Sequence, residues 1–134
     1  MTADSNQSPD EIVTRVSLRS VPDTVASLIG LVEARGMKVV AVIDQSAEAS
    51  RVGLQLRETT LVIFGSPAGG TPVMVAAPTA ALDLPLKVLT WADGGETKVS
   101  YYTPRALAAR HHLSPELAAK LAGIEALVDA LVAI

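Results

Sequence analysis

LKVLTWADGGETKVSYY, from Leu86 to Tyr102, consists of two alternating runs on either side of Asp93-Gly94-Gly95-Glu96. Two glycines between such runs are a strong hairpin signal, because a two-residue turn needs backbone angles that glycine adopts without a Cβ penalty. With Gly94 and Gly95 as the turn, Trp91 lies opposite Lys98 and Lys87 opposite Tyr102. Side chains alternate across a strand, so Leu86, Val88, Thr90, Val99 and Tyr101 share one face, and they make the better core. Lys87, Leu89, Trp91, Lys98, Ser100 and Tyr102 share the other, which joins a tryptophan to cations. A tight hairpin also forces antiparallel pairing, and this constrains how the remaining elements assemble.

On the C-terminal side, Pro104 opens a short helical turn reaching Arg110. Ser114 is placed to cap a final helix, with Pro115 at its first position and Glu116 in its first turn. Leu117, Leu121, Ile124, Val128 and Leu131 form the apolar stripe of that helix, widened by Leu127 and Val132. On the N-terminal side, Thr59 to Phe64 is a β-branched and aromatic strand, broken by GSPAGGTP at Gly65 to Pro72. Val73 to Ala77 then reads as a short helix ended by Pro78. Further back, Met37 to Ile43 is apolar except for Lys38, as in a central strand, and a short helix follows around Ser46 to Val52. Ser20, Pro22 and Asp23 start a helix whose Val25, Leu28, Ile29 and Val32 recur at helical spacing until Gly36 stops it. Ile12, Thr14, Val16 and Leu18 alternate with Val13, Arg15, Ser17 and Arg19. That pattern predicts a first strand with the former set buried and a basic outer face. Residues 1–10 read as a polar tail. These elements predict an α+β fold: a two-layer sandwich, a mostly antiparallel sheet with helices packed on one face, forming a single domain over residues 11–134.

Composition narrows the functional classes. A chain of 134 residues suits one domain, and 49% hydrophobic against 19% charged residues is too apolar for a disordered one. A net charge of −3 gives no bulk attraction to nucleic acid, which is not an expected partner. There is no cysteine, so disulfides, thiolate nucleophiles and cysteine metal sites are excluded. The start of the chain lacks the basic and apolar regions of a signal peptide, and Leu121 to Ile134 is too short to span a bilayer. A cytoplasmic protein with no membrane partner is the expectation. Mean hydropathy of +0.37 is high for a small monomer, and a homodimer that buries part of that surface is predicted.

FGSPAGGTPVM (Phe64 to Met74), ALDLPLKVLTWADGG (Ala81 to Gly95) and VSYYTPRALAARHHL (Val99 to Leu113) resemble domain-of-unknown-function family 302. The resemblance runs from about Leu28 to Leu113. It implies a two-layer α/β sandwich akin to the TATA-box-binding-protein-like fold, and no agreed activity. The family's loop more often reads Gly-Asn-Pro-Lys, whereas Ser66 and Ala68 take the Asn and Lys places here, and Glu58 stands where Pro is common. Any anion binding that the Asn and Lys supply elsewhere is weakened in this chain.

Three constellations are candidates for function. The Gly65–Thr71 loop resembles neither a P-loop nor a dinucleotide fingerprint, yet a Gly- and Pro-rich turn into a helix can present N–H groups to an anion. Lys87, Trp91 and Tyr102 offer a cation and two aromatics on one sheet face. A ligand between them would touch Phe64, Gly65, Ser66, Thr71, Lys87, Trp91 and Tyr102. His111 and His112 point about 100° apart on a helix, so they do not share a metal, and no metal site is expected. A helix C-terminus explains them, with a single axial haem ligand the one role left open; no cofactor is predicted. Asp44, Glu48, Glu58, Asp83 and Asp93 show no spacing that pairs two carboxylates, and there is no nucleophile elbow. The expected function is a small-ligand-binding or interaction domain, the alternative an enzyme acting on a small anionic substrate at Gly65–Thr71.

Overall fold

The computed structural model describes residues 11–133, so the predicted tail lies outside the described residues. Among the described residues five strands form one sheet: β1 (Ile12–Ser17), β2 (Lys38–Asp44), β3 (Thr59–Gly65), β4 (Leu86–Asp93) and β5 (Glu96–Tyr102). Their order across the sheet is β1-β5-β4-β3-β2, and every neighbouring pair is antiparallel. The β4–β5 hairpin closes at Asp93 opposite Glu96 and sets Trp91 opposite Lys98, as the two-glycine turn requires. Gly94 sits at φ +62°, a left-handed conformation that carries a steric penalty for a side chain.

Because β1 and β2 are the two edges, α1 (Val21–Ala34) must cross beneath the whole sheet. It starts where expected: the Ser20 hydroxyl accepts from the Asp23 N–H at 3.2 Å, and Gly36 follows its end at φ +77°. Leu28 and Val32 of α1 and Ile124, Leu127, Val128 and Leu131 of α6 (Gly123–Val132) pack on Val62, Phe64, Val88, Val99 and Tyr101. A second, smaller cluster joins Val73 of α3 (Pro67–Ala76), Ala80 of a 3₁₀ turn (Pro78–Leu82), Leu107 of α4 (Pro104–His111) and Leu121. α2 (Gln45–Arg51) and α5 (Pro115–Ala119) complete the fold. Among the described residues no helix packs on the opposite face of the sheet.

Three elements differ from the sequence expectation. β1 is inverted: Val13 packs on the core, and Arg15 turns to the helix side and pairs with Asp129 of α6 at 2.5 Å. Ile12 and Val16 instead face outward, 53% and 43% exposed. An edge strand tolerates this because its guanidinium can reach water and a carboxylate together. Arg19 turns to Ser27 of α1, so the outer sheet face is not basic at either arginine. The GSPAGGTP segment is helix rather than loop, with α3 beginning at Pro67 and running through Pro72. Proline fits the first turn of a helix, and burial of Val73 outweighs the poor propensity of Gly69, Gly70 and Pro72. The final helix is broken into α5 and α6 by a turn at residues 120–122. The break sends Leu117 and Leu121 to the small cluster and Ile124 onward to the main core.

Candidate functional site

A cavity of about 380 Å³ opens on the helix side of the sheet, at the corner where β3 turns into α3. Its walls are Met37, Lys38 and Val40 of the β2 edge, the start of α3, the Leu84–Leu86 segment, and the turn between α5 and α6. That volume lies in the range of small-molecule sites, which are concave and mostly apolar with a few placed polar groups. Here those groups are Lys38, Lys120, Ser66 and Thr71.

Gly65, Ser66 and Thr71 line the cavity. Phe64 does not reach it; its ring is fully buried in the main core. Lys87 and Trp91 are held on the other side of the sheet, so the geometry does not bring all seven residues into one site. There the Trp91 indole N–H donates to Ser100 Oγ at 3.0 Å, and Lys98 Nζ lies 5.6 Å from the ring centroid. Lys87 Nζ donates to the carbonyl of Pro85 at 3.1 Å. Tyr102 stacks under the Arg110 guanidinium at 4.9 Å and, with Lys87, borders a smaller recess of about 180 Å³. Met37, Lys38, Met74, Leu84 and Lys120 are cavity residues that sequence reasoning missed. The one signal for them was Lys38, a lone charge in an otherwise apolar strand.

The histidines resolve separately. His111 Nε2 lies 2.6 Å from Asp83 Oδ2, while its Nδ1 is 3.3 Å from the Thr79 hydroxyl. Arg110 donates to the same Asp83 oxygen at 2.9 Å and to Glu11 at 2.6 Å. His112 ends α4 in the left-handed conformation at φ 54°. Burial pushes the Asp83 carboxyl up, but hydrogen bonds from His111 and Arg110 outweigh it and hold the group below its ordinary range. This network ties the 3₁₀ turn and α4 to the chain before β1. Three of the other candidate carboxylates are also occupied: Asp44 caps α2, Asp93 pairs with Lys98 at 2.7 Å, and Glu48 with Arg51 at 3.5 Å. Among the described residues no cluster of three or more His, Asp or Glu is placed to hold a metal ion.

Fold and cavity together define a class, a two-layer α+β domain with a ligand-sized apolar recess at one corner of its sheet. The chain belongs to the family described as Domain of unknown function DUF302, whose model matches residues 5–131. A solved structure, an uncharacterized conserved protein DUF302 from Bacillus stearothermophilus, has the same fold. Its TM-score is 0.77 at 19% identity, covering 90% of this chain and 94% of that one. The chain is also 39% identical over 103 residues to Fluoride-specific ion channel FluC 1 of Brucella suis biovar 1 (strain 1330) and of Brucella abortus biovar 1 (strain 9-941). The match takes in 76% of this chain but 41% and 38% of those two proteins, so the chain spans about two fifths of their length.

Proposed function

We propose that this is a small-ligand-binding domain that works as a homodimer, with its ligand in the cavity beside α3 and its partner on the bare face of the sheet. The observation that carries the reading is the cavity itself, an apolar recess with hydroxyls and two lysines at its border. The bare face suits a second copy because its central positions, Leu61, Ile63, Leu89 and Trp91, are apolar where a solvated antiparallel sheet is usually polar. An enzyme is the weaker reading, since among the described residues no histidine or carboxylate borders the cavity to move a proton. Native mass spectrometry of freshly purified protein tests both halves. A dimer carrying a small-molecule adduct is expected; a bare monomer at every concentration counts against the whole reading.

The Brucella proteins favour a second reading. No helix among the described residues is long and apolar enough to cross a membrane, and the sheet is open at β1 and β2. An ion path across a bilayer needs spanning helices or a closed barrel. The matched two fifths of those proteins would then be a module carried beside the pore, and this domain a module that reports on the ligand to a channel. Fluoride efflux from vesicles containing the Brucella suis protein, with and without its matched segment, is the test. Efflux should persist without the segment but lose its regulation; abolished efflux in a protein that still inserts and folds would place the segment in the pore.

A further inference from the structure

We infer that the cavity takes an amphipathic anion, a ligand with an anionic oxygen head group and an apolar body of medium-chain size. The inference rests on the ligand-binding reading and specifies its chemistry. Lys38 of the β2 edge and Lys120 of the turn between α5 and α6 both line the cavity, both exposed and neither paired with a carboxylate among the described residues. Among the described residues no Asp or Glu borders it, although acids outnumber Lys and Arg by 14 to 11 in the chain.

Helix ends add to this. Side chains cap α1, α2, α4 and α5, through Ser20, Asp44, Thr103 and Ser114. α3 starts without a side-chain cap, and its first residue, Pro67, borders this cavity, whereas α6 follows α5 through a turn whose N–H groups at Lys120, Leu121 and Ala122 are already bonded back to α5. An uncapped helix start carries a partial positive charge. One such end and two lysines therefore border one apolar recess, and Ser66 lines it without its side chain capping the helix. Met37, Met74, Leu84 and Ile124 supply adaptable apolar walls for a flexible chain. A charged head held at the rim keeps its hydration in part while the body is buried, which avoids the cost of a fully desolvated ion.

Isothermal titration of the full chain with octanoate, octyl phosphate, octanol and octyltrimethylammonium separates the possibilities. At least one of the two anions should bind roughly tenfold or more tightly than octanol, and the ammonium should not bind. The double variant Lys38→Met, Lys120→Met should erase the preference for the anion and leave octanol binding unchanged. Gly70→Leu is designed to fill the cavity: a Cβ there meets Met74 and Leu84 at 3.8 and 3.9 Å, ordinary contact distances. It should abolish binding of every probe while its helical position keeps the fold. Octanol binding as tightly as the anions, and lost in Gly70→Leu, would overturn the anion assignment and leave the ligand-binding reading standing. Failure of all four probes would overturn both. Anion binding that survives the double lysine variant unchanged would place the site elsewhere, and this arm does not depend on Gly70→Leu folding.

Discussion

Thr90 has the side chain that fits its surroundings least well. Alternation alone assigns it to the core face, and it is fully buried there, with a hydroxyl that has no hydrogen-bond partner among the described residues. A buried polar atom left unpaired costs about 1–3 kcal/mol, and valine has nearly the same shape. Thr90→Val should therefore raise the melting temperature, and an unchanged or lowered value in thermal denaturation would mean that the hydroxyl is satisfied. Asp83 makes the opposite case. Its carboxyl is held below the ordinary value of 3.8, so the folded state prefers the ionised form. The stability this contributes is fully present above the unfolded pKa near 4 and is lost as pH falls through the lower folded pKa. Asp83→Asn should lower stability at neutral pH, and its chemical denaturation midpoint should fall less than that of the parent between pH 5 and pH 3. Parallel acid limbs for the two proteins would assign acid sensitivity to other carboxylates.

Elements behave as their packing dictates rather than as their local propensity suggests. The C-terminal stripe from Leu117 to Leu131 was legible, since its spacing is helical and capped by Ser114. Its division was not, because one helix axis cannot serve both apolar clusters and only the position of α3 and α4 reveals the second one. Ile124 is the hinge of this arrangement, buried in the main core and also bordering the cavity beside α3. Ile124→Ala should cost about 2–5 kcal/mol in equilibrium unfolding, since most of the side chain is enclosed. A loss well under that range would show that α6 repacks freely. The same competition explains α3, where Gly69, Gly70 and Pro72 argue for a loop and the burial of Val73 imposes a helix.

For the whole molecule, the central question is what covers the bare face. On β1 the residues directed to it, Ile12, Thr14 and Val16, are more apolar than Val13, Arg15 and Ser17 on the core side. That imbalance misled the reading of the strand, and it has a physical explanation if the outward face is buried against a second copy. Two such sheets can stack face to face about 10 Å apart with their strands nearly aligned. Sedimentation velocity should find a dimer at micromolar concentration. Leu89→Lys should convert it to a folded monomer and move Trp91 emission to longer wavelength, because the indole then meets water. Octanoate binding should leave Trp91 emission unchanged, since the cavity lies on the helix side. A parent protein that remains monomeric at all concentrations would leave the apolar outer face unexplained by self-association.

Strand order along the chain, the Gly94-Gly95 hairpin and the Ser20 to Gly36 helix follow from the sequence by itself. Each depends on neighbours a few residues apart: a turn that needs positive φ, a cap that needs a hydroxyl, a stripe that needs one period. Placement of β1 beside β5, and hence which of its faces is buried, depends on contacts between residues eighty to ninety positions apart. The cavity arises in the same way, since Lys38, Ser66 and Lys120 come from three separate segments that no local pattern relates. Alternation states that a strand has two faces; only the packing of α1 and α6 against one of them decides which face is the core.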